Sequence, residues 1–132
     1  MLTLALAVAA AVAGCGEDTE VPGPADDRPT TQEVVLVSQT AGGGEPASEP
    51  TDVSAPADLA SYVEQFDDRL ATKVTEAAQS FDGDEVLAQV VAVGCDVPPG
   101  ARLSGGVLVP EKVASPLQEC FAPVTTVALA AR

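Results

Sequence analysis

The stretch that decides the fold runs from residue 57 to residue 81 and reads ADLASYVEQFDDRLATKVTEAAQSF. Apolar residues recur in it every three or four positions, and most of the acidic residues fall between them. The apolar positions are Leu59, Val63, Phe66, Leu70, Val74, Ala77 and Phe81. This spacing predicts one amphipathic helix whose apolar face packs on a core. Ser54 or Asp58 would cap its start beside Pro56, and Asp82-Gly83-Asp84 would end it.

Short runs of β-branched and small residues flank this helix and predict strands. They cover residues 33–39, 86–93, 107–109 and 124–130, and Gly and Pro clusters separate them. We therefore predict an α+β domain at 57–132, in which one amphipathic helix packs on a small antiparallel sheet of three to four strands. The other face of that sheet would be partly exposed to solvent.

The segment before residue 57 has a different composition. Residues 15–32 form an acidic, Pro-containing stretch and residues 40–56 a Gly/Pro/Ser-rich one, and we interpret both as linkers. The strand at 33–39 is isolated between them. An aliphatic strand left free would promote aggregation, so we expect it to dock on the sheet of the following domain.

The core is short of large side chains. Aromatic residues make up only 3% of the chain, and Tyr62, Phe66, Phe81 and Phe121 are the candidate aromatic core residues. A domain this small often needs a covalent or metal cross-link.

Cys95 and Cys120 supply the expected cross-link. A disulfide between them closes a loop of about 26 residues and would stabilise the fold by roughly 3 to 4 kcal/mol. The alternative, a reactive thiol, needs a cationic environment, whereas Asp96 and Glu119 are the neighbours. We therefore predict that the disulfide closes the domain.

The N-terminus carries the clearest motif. Residues 2–13 are apolar apart from one Thr, and as a helix they would reach about 18 Å, too short for about 30 Å of hydrocarbon. The ending Val12-Ala13-Gly14-Cys15 resembles the lipobox of bacterial lipoproteins. The resemblance implies a signal peptide at 1–14, acylation of Cys15, and a lipid anchor that holds the chain on the extracytoplasmic face of the cell membrane. No basic residue lies between Met1 and Cys15, so we expect the true start codon upstream.

The charge and the residue inventory argue against several classes of function. Twenty acidic residues against six basic ones give a net charge of −14, which argues against nucleic acid as a partner. The chain has no His, so His-dependent nucleophile activation and the commonest zinc ligands are excluded. We expect no catalytic residues, no metal and no cofactor. The stretch from Asp82 to Glu85 offers oxygens to Ca²⁺ but lacks further ligands, and we interpret it as a helix stop.

The loop from Cys95 to Leu103 is the candidate partner-binding loop. It contains Pro98 and Pro99, hangs from the predicted disulfide and carries an isolated Arg102. Small secreted protease inhibitors present stiffened loops of this kind, in which an Arg enters an acidic specificity pocket. The ordinary alternative is a connecting loop with a solubilising Arg.

Two blocks around the cysteines carry a second resemblance. Residues 90–99, which end in GCDVPP, and residues 119–124, ECFAPV, resemble lipoproteins of actinobacterial type that have no assigned activity. The leading hypothesis is therefore a binding or scaffold module whose sheet face or Pro-rich loop meets another envelope protein. A protease inhibitor is the alternative, and an enzyme comes third.

Overall fold

The computed structural model describes residues 32–82 and 85–132 of the chain. Its elements are β1 (Val34–Thr40), β2 (Thr51–Asp52), α1 (Pro56–Val63), α2 (Asp68–Gln79), β3 (Val86–Gly94), β4 (Ala101–Ser104), β5 (Val107–Pro110) and β6 (Val124–Ala131). Four strands form an antiparallel sheet in the order β1-β6-β3-β2, and β4 pairs with β5 in a separate hairpin. The predicted α+β class is confirmed, with two helices among the described residues where we expected one.

The central strand β6 organises the core. Its side chains are buried from Thr125 to Ala130, because successive residues of a strand point to opposite faces and both faces are covered. Val127 and Leu129 face the helices, whereas Ala128 and Ala130 belong to the core on the other side. The sheet therefore lies between two apolar layers.

The strand expected at 33–39 is β1, and it belongs to this sheet. It pairs with β6 along its whole length, from Val34 opposite Ala130 to Thr40 opposite Val124. Half-buried Val35 and Val37 pack on the helix-side core. The docking expected from the aliphatic character of this strand is confirmed.

The single helix predicted over 57–81 is wrong: a break over residues 64–67 divides it into α1 and α2. Asp67 has an extended backbone, and its carboxylate accepts a hydrogen bond from Leu70 N at 2.8 Å, which makes it the N-cap of a new helix. The Asp67 N–H donates to Gly42 O at 2.8 Å instead of continuing α1. The apolar period survives the break, since Phe66 still packs on the core.

The predicted ends of the helical region are also corrected. Ala55 is the N-cap of α1 and makes no side-chain cap. The Ser54 hydroxyl instead accepts from Val86 N at 2.8 Å and so joins β3. At the other end, α2 stops at Gln79, before the Asp-Gly-Asp stretch. Of that stretch, Gly83 and Asp84 lie outside the described residues.

Residues 40–56 do not form the linker that their composition indicates. Ala47 N donates to Val90 O at 3.0 Å, and β2 pairs with β3. A Cβ at Gly42 would lie 2.7 Å from the Leu70 side chain, and one at Gly44 2.6 Å from the Phe66 ring. The glycines are therefore packing positions at which the loop crosses the break between the helices.

The face opposite the helices is covered by the β4–β5 hairpin, so it is less exposed than we expected. Leu108 is buried against Ala128 and Ala130, and Ala101 and Leu103 pack beside it. Strand β4 was not predicted from the sequence. Its turn, Gly105-Gly106, has positive φ at both positions, which suits a tight two-residue hairpin connection.

Candidate binding surface

The loops that close the sheet at one end are joined by the disulfide. Strand β3 ends at Gly94, directly opposite the first residue of β6, Val124. Cys95 follows β3 and is bonded to Cys120, with 5.3 Å between their Cα atoms. The predicted Cys95–Cys120 bond is confirmed, and it draws the loop before β6 onto the loop after β3.

Two hydrogen bonds reinforce this junction. Asp96 Oδ2 accepts from Leu117 N at 2.7 Å, and Gly100 O accepts from Glu111 N at 2.9 Å at the base of the hairpin. We call residues 95–100 and 111–123 together the loop surface. One disulfide and two hydrogen bonds therefore join the two segments.

Exposed hydrophobic side chains concentrate on the loop surface. Among the residues that the structure describes, the exposed large hydrophobics are Val97 at 47%, Leu117 at 61% and Phe121 at 113% of a reference exposure. We call these three residues the apolar patch. The Leu117 N–H donates to the Asp96 carboxylate, and Val97 follows Asp96 in the chain. Phe121 follows Cys120 of the disulfide.

The expectation that Phe121 is a core residue is wrong. The other three aromatic residues pack on the helix-side core, whereas Phe121 lies on a loop between the disulfide and Pro123, beyond the end of the sheet. Neither apolar layer reaches it there. A fully exposed Phe is unfavourable in isolation, and exposed apolar clusters commonly mark interaction sites.

The residues of the predicted partner-binding loop fall into two groups. Pro98 is buried and Pro99 is exposed, both in the loop that follows the disulfide. Arg102 is exposed but lies on β4, opposite Val109 in the hairpin. The predicted loop at 95–103 therefore ends at Gly100, and Arg102 is presented by a paired strand. The structure does not show Arg102 as part of the apolar patch.

Charged side chains on the loop surface are mostly acidic. Asp96, Glu111 and Glu119 carry negative charge there, against one basic residue, Lys112. Glu119, Cys120 and Phe121 line a surface hollow of about 320 Å³. Glu119 adjoins Phe121 in this hollow, Asp96 accepts from Leu117 N, and Glu111 lies at the base of the hairpin; we call these three residues the acidic border.

The burial of two polar groups inside the domain, on Gln89 and Tyr62, was not indicated by the sequence patterns. Gln89 is buried on β3; its amide nitrogen donates to Ala47 O at 2.8 Å, and its amide oxygen accepts from Leu108 N at 2.9 Å. Tyr62 has a buried hydroxyl with no hydrogen-bond partner of normal geometry among the described residues. Burial raises the pKa of Tyr62 well above its usual value, and the nearby Val90 backbone opposes this only in part.

With the geometry of the surface known, the chain can be compared with known proteins. No family model, curated protein or solved structure matches it. The proposals below therefore depend on the residues and contacts of this chain alone.

Other sequence predictions meet the structure only in part. The signal segment and Cys15 lie outside the described residues. Within residues 32–82 and 85–132, no helix is long and apolar enough to cross a bilayer. The same residues contain no group of three or more acidic, Cys or His side chains placed to hold a metal ion.

Proposed function

We propose that the chain is a lipoprotein of the bacterial envelope, tethered through Cys15, and that its domain binds another protein through the apolar patch. The observation that carries the binding role is the concentration of exposed large hydrophobics on the disulfide-joined loops. Aromatic side chains, Phe among them, are enriched at the buried centres of protein interfaces. Phe121 has the size and the exposure for such a role.

The construction of the loop surface supports this role. A disulfide, the Asp96–Leu117 hydrogen bond and a buried Pro98 hold the patch in place before any partner arrives. A binding surface that is already ordered loses less conformational entropy on association.

The tether rests on the lipobox-like sequence at 12–15. Mass spectrometry of the N-terminus from fractionated cells tests it directly. We expect a mature chain that begins at Cys15 and carries acyl groups in the membrane fraction, and a Cys15→Ala variant without them. An unmodified N-terminus in the cytosol would refute the tether.

Photocrosslinking in living cells tests the binding role. A photoreactive amino acid replaces Phe121 in one strain and Glu76, an exposed residue of α2, in a matched control strain. We expect discrete adducts from position 121 that position 76 does not give. Identical adduct patterns from the two positions, or none from either, would refute a binding role for the patch.

A further inference from the structure

We propose that the partner is a protein with an apolar pocket bordered by Lys or Arg side chains, and that the apolar patch enters this pocket on the side of the domain away from the tether. This inference rests on the proposed function and specifies the partner's chemistry. Two features of the domain lead to it: the position of the patch relative to the start of β1, and the charges of the loop surface.

The apolar patch and Val34, where β1 begins, lie at opposite ends of the sheet. The chain enters β1 at Val34, which is opposite Ala130 near the end of β6. The loop surface begins beyond Gly94 and Val124, which are level with Thr40 at the other end of β1. Six residue steps of an antiparallel strand cover about 20 Å. The patch is therefore at the end of the sheet away from Val34, the strand end to which the proposed tether leads.

The charges of the loop surface indicate the charge that the partner carries. Phe121 and Leu117 are accompanied by Asp96, Glu111 and Glu119, with Lys112 as the basic exception. The whole chain carries a net charge of −14. Complementary charges speed association and discriminate against wrong partners, whereas like charges repel. An apolar pocket with a basic border matches this pattern.

The same charges disfavour two other partners for an apolar surface, namely an anionic membrane and a second copy of this chain. Anionic lipid headgroups attract basic segments and repel acidic ones. A second copy of this chain would bring two acidic borders together. A basic protein surface avoids both conflicts.

Selection of peptides by the full chain tests the partner chemistry. The chain is purified as made in cells, reconstituted in phosphatidylcholine nanodiscs, and offered a random dodecapeptide phage library after depletion on empty nanodiscs. We expect selected peptides that combine large apolar residues with an excess of Lys and Arg. Their affinity should fall at least about tenfold for Phe121→Ser, as at an interface hot spot.

Charge variants separate the two parts of the proposal. The double substitution Glu111→Gln with Glu119→Gln should weaken peptide binding about threefold or more at low salt, since two charges of the acidic border are lost. The matched pair Glu64→Gln with Glu76→Gln, on exposed positions of the helical side, should leave affinity unchanged. Peptides that need Phe121 but show no basic excess and ignore the border charges would refute the partner class and retain the binding surface. Peptides that bind Phe121→Ser equally well would refute both.

A tryptophan probe tests whether the patch instead binds a membrane surface, and an association assay tests whether it binds a second copy of the chain. The chain contains no Trp, so Phe121→Trp places a single fluorophore in the patch. In nanodiscs of brominated phosphatidylcholine we expect no more quenching than in unbrominated ones. Quenching by the brominated chains would overturn the proposal in favour of a membrane surface. Association between nanodisc-bound chains that Phe121→Ser abolishes would overturn it in favour of a second copy.

Discussion

The two faces of the four-stranded sheet are covered in different ways. On the helix side, Leu70 and Val74 are fully buried against the sheet together with other aliphatic side chains. In the apolar cluster on the hairpin side, the fully buried sheet residues are Ala128 and Ala130, and Leu108 is the large buried side chain. Fewer buried residues form this cluster, and directional links are added: the Gln89 hydrogen bonds and, at the end of the sheet, the disulfide. The helix side is thus stabilised mainly by burial and the other side by burial plus cross-links.

The largest loss of stability is expected on the helix side. Leu70→Ala removes a fully buried side chain from the centre of the core and should lower the free energy of unfolding by roughly 3 to 5 kcal/mol, because it leaves a cavity. Urea denaturation measures this change. Glu76→Ala, on the exposed face of the same helix, serves as the control and should change stability little. Equal effects of the two substitutions would contradict the assignment of the core.

Removing the disulfide tests the loop end. Cys95→Ser with Cys120→Ser should lower the free energy of unfolding by roughly 3 kcal/mol, since the unfolded chain regains the entropy of an open loop of this length. Limited proteolysis should cut first within residues 111–123. Loss of protection spread evenly over α2 and the loops would argue against a local role for the bond.

Gln89→Leu isolates the polar link between the hairpin and the sheet. It leaves Leu108 N–H and Ala47 C=O without their partner and should cost about 2 kcal/mol, the penalty of buried unpaired groups. Amide hydrogen exchange at Leu108 should speed up more than exchange at Leu129. Gln79→Leu, at an exposed glutamine of α2, provides the comparison. An unchanged exchange rate at Leu108 would show that Gln89 does not hold the hairpin.

The smallest expected effect has the opposite sign. Tyr62→Phe removes a buried hydroxyl that lacks a good partner, so stability at neutral pH should rise by about 1 kcal/mol. The folded state raises the pKa of Tyr62 above the ordinary value of 10.0. Because the folded state disfavours the ionised phenol, ionisation does not lower the free energy of unfolding below that pH and lowers it progressively as the pH rises above it. Urea denaturation between neutral pH and pH 11 should show less alkaline destabilisation in Tyr62→Phe, and an identical pH profile would contradict the burial of the hydroxyl.

The elements that were predictable from the sequence depend on local patterns. The β-branched runs predicted β1, β3, β5 and β6, and the cysteine inventory predicted the disulfide. Both signals lie within a few residues of the elements they specify. The helix period was also read correctly, but the break at Asp67 depends on Gly42 O, which is distant in sequence. A local pattern contains no information about that contact.

The candidate site was harder to predict for the same reason. Phe121 has the composition of a core residue, and its position beyond the end of the sheet becomes apparent only from the strand pairing. The glycines at 42–44 are typical of a linker, and their packing role depends on Phe66 and Leu70. A signal that the sequence did contain is the placement of Phe121 between Cys120 and Pro123, which confines it to a loop.

The described fold begins and finishes at neighbouring points. Gln32 donates a side-chain hydrogen bond to Ala131 O, and Arg132 N donates to Glu85 O at 2.8 Å. Because both ends leave from one side, the unit can be grafted as a whole into a surface loop of an unrelated scaffold without stretching it. Such a chimaera would display Phe121 on a carrier of choice, independent of any lipid.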